Sequence, residues 1–324
     1  MKRYQALSKD QSNPVDQPSR HSESTAGTTA FVHRSACPAC AATTRRTLKS
    51  VPMRHPSVAG FLERYYEGRI PLSDLADMPF DVAECDACGT IYQTAILSPP
   101  RMLDLYEHWI DPAQSFEKRR GADHTYYAQI ANEVMGIRRL TSRLPRDTQV
   151  LDFGMGWGNW LQMARGFGYQ TTGFELSEQR AAYGREHGLR VASTLCELEP
   201  ASFHYIYANQ VLEHVPDPRA SLQDIAALLA PGGIADIHVP NQLGIRRKLA
   251  SKHWQASHDA IHPLEHINCF NRRALLAMGR AFGLQSITPP YPGLRTPQTL
   301  GVKDVAVYLF NRTISTHVFF VRNV

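Results

Sequence analysis

The stretch VLDFGMGWGNW, residues 150–160, constrains this chain more than any other. An apolar run ends in Asp152, and Gly154, Gly156 and Gly158 then fall at every second position. That order reads as a buried strand, a tight turn and the start of a helix. Glycines so spaced mean a backbone closed to other residues, or a ligand that approaches the main chain. The alternation continues downstream. NWLQMARGFG reads as a helix with Gly168 at its C-cap, YQTTGFE as a strand, and SEQRAAYGREHG as a helix with Ser177 as N-cap. LRVAS and FHYIYAN read as strands, DPRASLQDIAALLAPGG as a helix ending in Pro-Gly-Gly, and IADIHVP as a fifth strand. The pattern predicts an α/β fold with a doubly wound, mostly parallel sheet. Ligands bind such sheets past the carboxyl ends of the strands. Those places are residues 153–158, Glu175, Leu176, Thr194, Leu195, Asn209 and Gln210.

Helical spacing of Ile130, Val134, Ile137 and Leu140 predicts one or two helices before the glycine stretch. After the fifth strand, NRRALLAMGRAFG predicts a helix and LQSITPP a strand. A helical stretch around KDVAVYLFN and a final strand in HVFFVRNV follow. The last two strands are expected as a hairpin on the sheet edge.

Three ligands compete for the glycine turn. A phosphate loop needs a lysine after the glycines, and there is none. A dinucleotide turn needs a third glycine where Asn159 stands. The pattern D-x-G-x-G-x-G, met by Asp152, Gly154, Gly156 and Gly158, suits a cationic ligand without phosphate, such as S-adenosylmethionine. A carboxylate there favours the ligand's ammonium end. Glu175 ends the second strand about twenty residues on, where a carboxylate can accept from both ribose hydroxyls.

The cysteines include two C-x-x-C pairs, Cys37–Cys40 and Cys85–Cys88. Two such turns brought together present four thiolates in the tetrahedron of a closed structural zinc site. Gly89 permits the tight turn after the second pair. FLERYYEGRIPLSDLADMPF between the pairs reads as an insertion. Cys196 and Cys269 stand alone and are expected to pack as small hydrophobes.

With VLDFGMGWGNW, TTGFELS, ANQVLEHVPDP and LLAPGG on the page, the chain from about residue 126 onward resembles the class I S-adenosylmethionine-dependent methyltransferases. His204 stands where relatives have an aspartate before the fourth strand. CPAC with CDACGTIYQTAILSPPRMLDLY looks like the zinc-binding module that precedes some bacterial methyltransferases, sugar C-methyltransferases among them. The resemblance implies methyl transfer to a small or carrier-linked metabolite, a sugar or polysaccharide precursor included. It leaves O-, N- and C-methylation equally open. A non-catalytic protein that binds the cofactor, or uses the zinc module to engage a partner, is one alternative; a nucleic-acid or protein methyltransferase with the zinc module as reader is a weaker one.

Two places could move a proton. One is Glu213–His214, past the fourth strand, a pair that the family motif makes more structural than catalytic. The other is HPLEHINCF, residues 262–270. The sugar C-methyltransferases carry Tyr-x-Glu-His at the comparable place. Glu265 and His266 match it, while Pro263 takes the position of the tyrosine. If one residue is catalytic it is His266, with Glu265 orienting it. H-P-L-E-H also fits a metal signature, but that signature needs a helix, and Pro263 opposes one. No second metal is therefore expected from the series His253, His258, His262 and His266. Tyr126 and Tyr127 are placed to cover the cofactor or to pack in the core.

These features divide the chain into a disordered tail (1–30), a zinc-ribbon-like module (31–100) and a methyltransferase domain (101–324). The tail is polar and has no apolar core of a secretory signal. No apolar run approaches the ~18–20 residues of a membrane span, so a cytoplasmic protein is expected. A net charge of +5 and no aromatic-basic cluster disfavour nucleic acid. The densest basic stretch, IRRKLASKHW, reads as a solvated helix face.

Overall fold

The computed structural model describes residues 30–75, 77–288 and 313–323. The expected tail, apart from its last residue, and the helical stretch around residues 303–311 lie outside these.

Strand β1 (Phe31–His33) leads into the first Cys-x-x-C turn and β2 (Arg45–Pro52) leaves it. Helix α1 (Pro56–Tyr65) follows, opened by Pro56 and capped by His55, which accepts from the Ser57 N–H. Strand β3 (Pro79–Cys85) enters the second Cys-x-x-C turn, and β4 (Ile91–Gln93) leaves it. Strand β5 (Ala95–Leu97) returns to pair antiparallel with β1. The insertion between the cysteine pairs is thus structured. Val58, Phe61 and Leu62 of α1 are buried with Leu75, Met78 and Phe80 in one core, which also takes in Trp254 and Leu264 from far along the chain.

Helix α2 (Pro99–Asp104) runs into a π-helical turn at Leu105–Trp109. Helices α3 (Pro112–Arg120) and α4 (His124–Thr141) follow. Asp123 starts α4 by accepting from the Thr125 and Tyr126 N–H groups. Ile130, Val134 and Ile137 form its buried face, at the spacing expected. The α/β part then runs β6 (Gln149–Phe153), α5 (Asn159–Gly166), β7 (Gln170–Phe174), α6 (Glu178–Glu186), β8 (Val191–Ala192) and β9 (Phe203–Asn209). It continues with α7 (Pro218–Leu228), β10 (Leu229–His238), α8 (Ile245–Leu249), β11 (Asn268–Cys269), α9 (Arg272–Ala281), β12 (Leu284–Ile287) and β13 (His317–Arg322).

The main sheet has the order β12-β13-β10-β9-β6-β7-β8. Strands β10, β9, β6, β7 and β8 are parallel, and β13 is antiparallel between β10 and β12. The chain winds one way from β6 and the other way from β9, so the switch point lies between these neighbours. The α/β fold is therefore as expected, edge hairpin included. Two local readings differ. Pro231, Gly232 and Gly233 do not end α7. They lie inside β10, whose pairing with β9 shifts register between Leu229 and Ile234. Ser177 stands at the N-cap of α6, but its side chain makes no capping bond.

The cysteine module is not set apart. β11 pairs with β4, so the sheet β11-β4-β3-β2 takes an outer strand from a segment about 175 residues further on. Tight packing recurs where α9 crosses β13: a Cβ on Gly279 would fall within 2.9 Å of three ring atoms of the buried Phe320. Gly279→Ala is expected to destabilise the protein by about 1–3 kcal/mol despite its better helix propensity. Urea unfolding measures this, and an unchanged midpoint would show the contact to be loose.

Candidate functional site

Parallel register sets Asp152 of β6 opposite Gly173 of β7, so Asp152 and Glu175 emerge at the same end of the sheet. Between them Gly154, Gly156 and Gly158 have φ of +82°, +56° and +77°, in the left-handed region that favours glycine. The three have different reasons to be glycine. A Cβ on Gly154 would lie 2.7 Å from Val211, and one on Gly158 2.7 Å from Leu189. One on Gly156 would meet nothing within 4 Å, so the space above it is open. The Gly156 N–H donates to Glu175 Oε2 (2.9 Å), and the Ser177 N–H donates to Oε1 (2.9 Å). The strand-end carboxylate thus holds the glycine turn from across the sheet.

Asp152 is buried, and its carboxyl is pushed up to about 8 by burial first, then by Glu175 and Glu133. Asn209, across the switch point, buries an Oδ1 without a hydrogen-bond partner. Gln210 takes a φ of +58°. Leu176 is 72% exposed on the rim. Thr194 directs both its hydroxyl (2.7 Å) and its N–H (2.8 Å) at Glu197, so it shapes the turn that presents Leu195. Over the glycine turn, Trp157 packs with Phe116 (5.0 Å) and Tyr183 (5.3 Å), and its indole N–H donates to Ser115. Helix α3 supplies this cover. Tyr126 is half-buried and packs against the core beside α4, whereas Tyr127 is exposed.

The residues around Glu213–His214 and 262–270 are joined to one another and to distant segments. The Ile267 and Asn268 N–H groups both donate to the Glu213 carbonyl, which binds the 262–270 segment to the end of β9. Pro263 keeps that segment out of a helix. A turn with Leu264 at φ +74° brings His262 and His266 into an antiparallel bridge. Their Nδ1 atoms lie 2.9 and 2.7 Å from the same Asp259 carbonyl oxygen. Glu265 therefore does not orient His266, as expected from sequence; the Asp259 carbonyl does. Adjacent residues of an extended bridge face opposite ways. Glu265 instead accepts from Tyr66 Oη at 2.7 Å. Tyr66 belongs to the insertion between the cysteine pairs, directly after α1.

His262, Glu265, His266 and Glu213 are buried, and His214 is partly buried. Burial, then His266, pushes His214 down to about 3; burial pushes His266 down to about 4; His262 falls well below its ordinary value for the same reason. Glu213, with both oxygens buried and unpartnered, is pushed up to about 8 by burial. At neutral pH the group is a set of neutral imidazoles beside protonated Glu213. Tyr106 lies in the π-helical turn, its ring 6.4 Å from His214 and its hydroxyl buried without a partner. Burial, then Glu265, pushes its phenol up. Sequence reading missed Tyr66 and Tyr106. Neither matches a motif, although π-turns recur at functional sites.

Gln93 and Arg34 join the cysteine module to this segment. Gln93 Nε2 donates to the His262 (2.8 Å) and His266 (3.0 Å) carbonyls, and Arg34 donates to the Gln93 and Ile267 carbonyls and to Asn268 Oδ1. The four paired cysteines converge, with Cys37–Cys88 at 3.6 Å, Cys40–Cys85 at 3.5 Å and all four sulfurs within 4.8 Å of one another. The Cys37 thiol lowers Cys88 to about 5 and is itself raised by the same contact, while burial raises Cys40 to about 11. Gly89, at φ +75°, makes the tight turn expected of it. Of the lone cysteines, Cys269 is buried but Cys196 is exposed, because it lies in the surface turn that Thr194 caps.

The methyltransferase domain family matches residues 123–288, slightly more than half of the chain. A ubiquinone biosynthesis O-methyltransferase of Idiomarina loihiensis is 31% identical over 139 residues, 40% of this chain and 54% of that protein. Its counterpart in Xanthomonas euvesicatoria is 36% identical over 95 residues, 26% and 40% of the two chains. This chain spans about half the length, or less, of these curated relatives. Among solved structures, a 1,6-didemethyltoxoflavin-N1-methyltransferase of Burkholderia thailandensis, with its substrate and S-adenosylhomocysteine bound, aligns at a TM-score of 0.43 and 19% identity. The alignment covers 75% of this chain and 96% of that one, a likeness too loose to add weight. The family match, on the glycine turn and strand order described above, makes this chain a member of the class I S-adenosylmethionine-dependent methyltransferases.

Proposed function

We propose that the chain transfers the methyl group of S-adenosylmethionine to a hydroxyl of a small or carrier-linked metabolite. One observation carries the donor assignment: the buried Asp152 carboxyl stands near Glu175 and Glu133 at a glycine turn whose Gly156 faces open space, so a cation that displaces its proton is favoured there. Such a place suits a cationic ligand with a diol. Asp152 attracts the ammonium end and Glu175 accepts from the ribose. Leu176 and Leu195 flank the adenine, and Asn209 and Gln210 border the methionyl part. When bound, the donor supplies an activated methyl group. The chain's work is to align the acceptor and exclude water. Tyr106, His214, His266 and Glu265 wall off the acceptor side, and neutral imidazoles there can take up the hydroxyl proton.

The O-methyltransferase names of the curated relatives support a hydroxyl acceptor, and the cysteine module's resemblance supports sugar or polysaccharide precursors within that class. In the basic stretch near α8, Arg246 pairs with Glu84 and Lys248 with Asp259, and both cations stay on an exposed helix face. No helix among the described residues is long and apolar enough to cross a membrane. We further propose that Cys37, Cys40, Cys85 and Cys88 hold a structural zinc ion. The donor set fits: four sulfurs are already clustered near tetrahedral spacing, which closes the site to substrate.

Glu175→Ala is expected to weaken S-adenosylmethionine binding about 10–100-fold in calorimetry, the loss of a charged hydrogen-bond acceptor. Wild-type affinity in this variant would refute the donor site. Asp152 is protonated at pH 7 in the free protein, and an ammonium beside it lowers its pKa. Donor binding should therefore release up to about one proton, seen as a binding heat that varies with buffer ionisation enthalpy. Asp152→Asn should abolish that variation, and an equal dependence in both proteins would contradict the role. For the zinc site, Cys85→Ser should remove the thiolate-to-metal absorption of the cobalt-substituted protein and lower the melting temperature. A retained band would place the metal elsewhere.

A further inference from the structure

We infer that His258, His262 and His266 bind a divalent transition-metal ion, separate from the cysteine cluster. The inference concerns metal binding alone and stands whether or not the methyl-donor reading holds. The three imidazoles each offer a nitrogen, and these atoms lie within 4.8 Å of one another. A zinc ion with nitrogen ligands at about 2.0–2.1 Å needs nitrogens roughly 3.3 Å apart, a small closure from this arrangement. The rings are 4.1 Å (His262–His266), 4.9 Å (His258–His262) and 5.6 Å (His258–His266) apart.

Three further observations point the same way. The Asp259 carbonyl faces Nδ1 of both His262 and His266, so each donates Nδ1–H and keeps Nε2 free of a proton. A backbone carbonyl on the far nitrogen is the usual partner that fixes a metal-binding histidine. Nε2 of His262 is buried without a hydrogen-bond partner, although the residue is only 1% exposed. The bridged turn, held by Gln93 through the carbonyls of both histidines, fixes the two imidazoles side by side. The sequence argued against a metal because Pro263 precludes a helix. The bridged turn achieves the convergence without one.

Phe61 and Tyr65 wall one side of His262, at 5.7 and 6.0 Å between ring centres. On the other side His214 stands 4.7 Å from His266. An ion here lies beside the acceptor side of the donor site. Three protein ligands leave it a coordination position, and imidazole sets favour zinc, copper, nickel or iron over magnesium. In that arrangement His266 would be a ligand rather than a free base, and the ion would offer Lewis-acid chemistry at its open position.

The test grows the full-length protein in cobalt medium, isolates it by gel filtration, and compares bound cobalt with thiolate absorption. The expected result is one equivalent of cobalt per chain beyond that reporting thiolate ligation. His258→Ala, at an exposed residue that the core does not need, should lose that equivalent and keep the thiolate signal. His262→Asn should do the same. Cys85→Ser should keep the extra equivalent and lose the thiolate signal. Three results would overturn the inference: a wild-type chain whose cobalt all reports thiolate, full retention in His258→Ala, or a loss confined to Glu213→Gln, which would move the ion to Glu213, His214 and His266.

Discussion

The side-chain amide of Gln93, buried and bonded to the carbonyls of His262 and His266, couples the two halves of this molecule. Gln93 ends β4, the strand that leaves the second Cys-x-x-C turn. The Arg34 guanidinium, lowered to about 10 by burial, follows the first turn's entry strand and grips the same junction. Whatever orders the cysteine turns thereby orders the histidine segment. Breaking the junction would take a hydrogen bond from each of four backbone carbonyls and strip the Arg34 guanidinium of its partners, each loss costing about 1–3 kcal/mol. The module is thus part of the site's scaffold. Further bonds tie its turns to the α/β part: Asn271 to the Cys88 carbonyl, Arg219 to the Ala39 carbonyl and Arg273 to the Ala87 carbonyl.

The two sides of the candidate site obey opposite electrostatic rules. Around the glycine turn, burial first and then Glu175 and Glu133 hold Asp152 protonated. A cation beside it favours the ionised form, so the turn is poised for a positively charged ligand. On the acceptor side, burial strips charge from imidazoles and from Glu213 alike. Neutral nitrogens with free lone pairs remain, the form that accepts a proton or a metal. Tyr106 separates the two regions and feels the field of both.

The glycine turn was legible because it is local. A strand-end Asp, alternate glycines and a strand-end Glu need only the βαβ rule to bring them together, and the parallel register of β6 and β7 does so. The individual reasons for the glycines were not legible, since Val211 and Leu189 approach from other elements. The acceptor side was legible only in part. His266 and Glu265 stood out as a motif, but their partners lie far away in sequence: Tyr66 is 199 residues from Glu265, and Gln93 is 173 from His266. No periodicity reports such pairs. The role given to Asp259 belongs to a backbone carbonyl, which sequence never distinguishes. The Pro-Gly-Gly turn misled for a simpler reason. Glycine and proline mark helix ends and strand irregularities alike, and here they fill a bulge in β10.

The position of β13 sets the order in which the chain can be completed. It lies between β10 and β12, yet both neighbours precede it in sequence by tens of residues. Until residues 317–322 arrive, β10 presents an open, largely apolar edge beside the finished parallel strands, the kind of edge that recruits other chains. During synthesis the sheet therefore waits on its last-made strand, while the glycine turn and its carboxylates can already form.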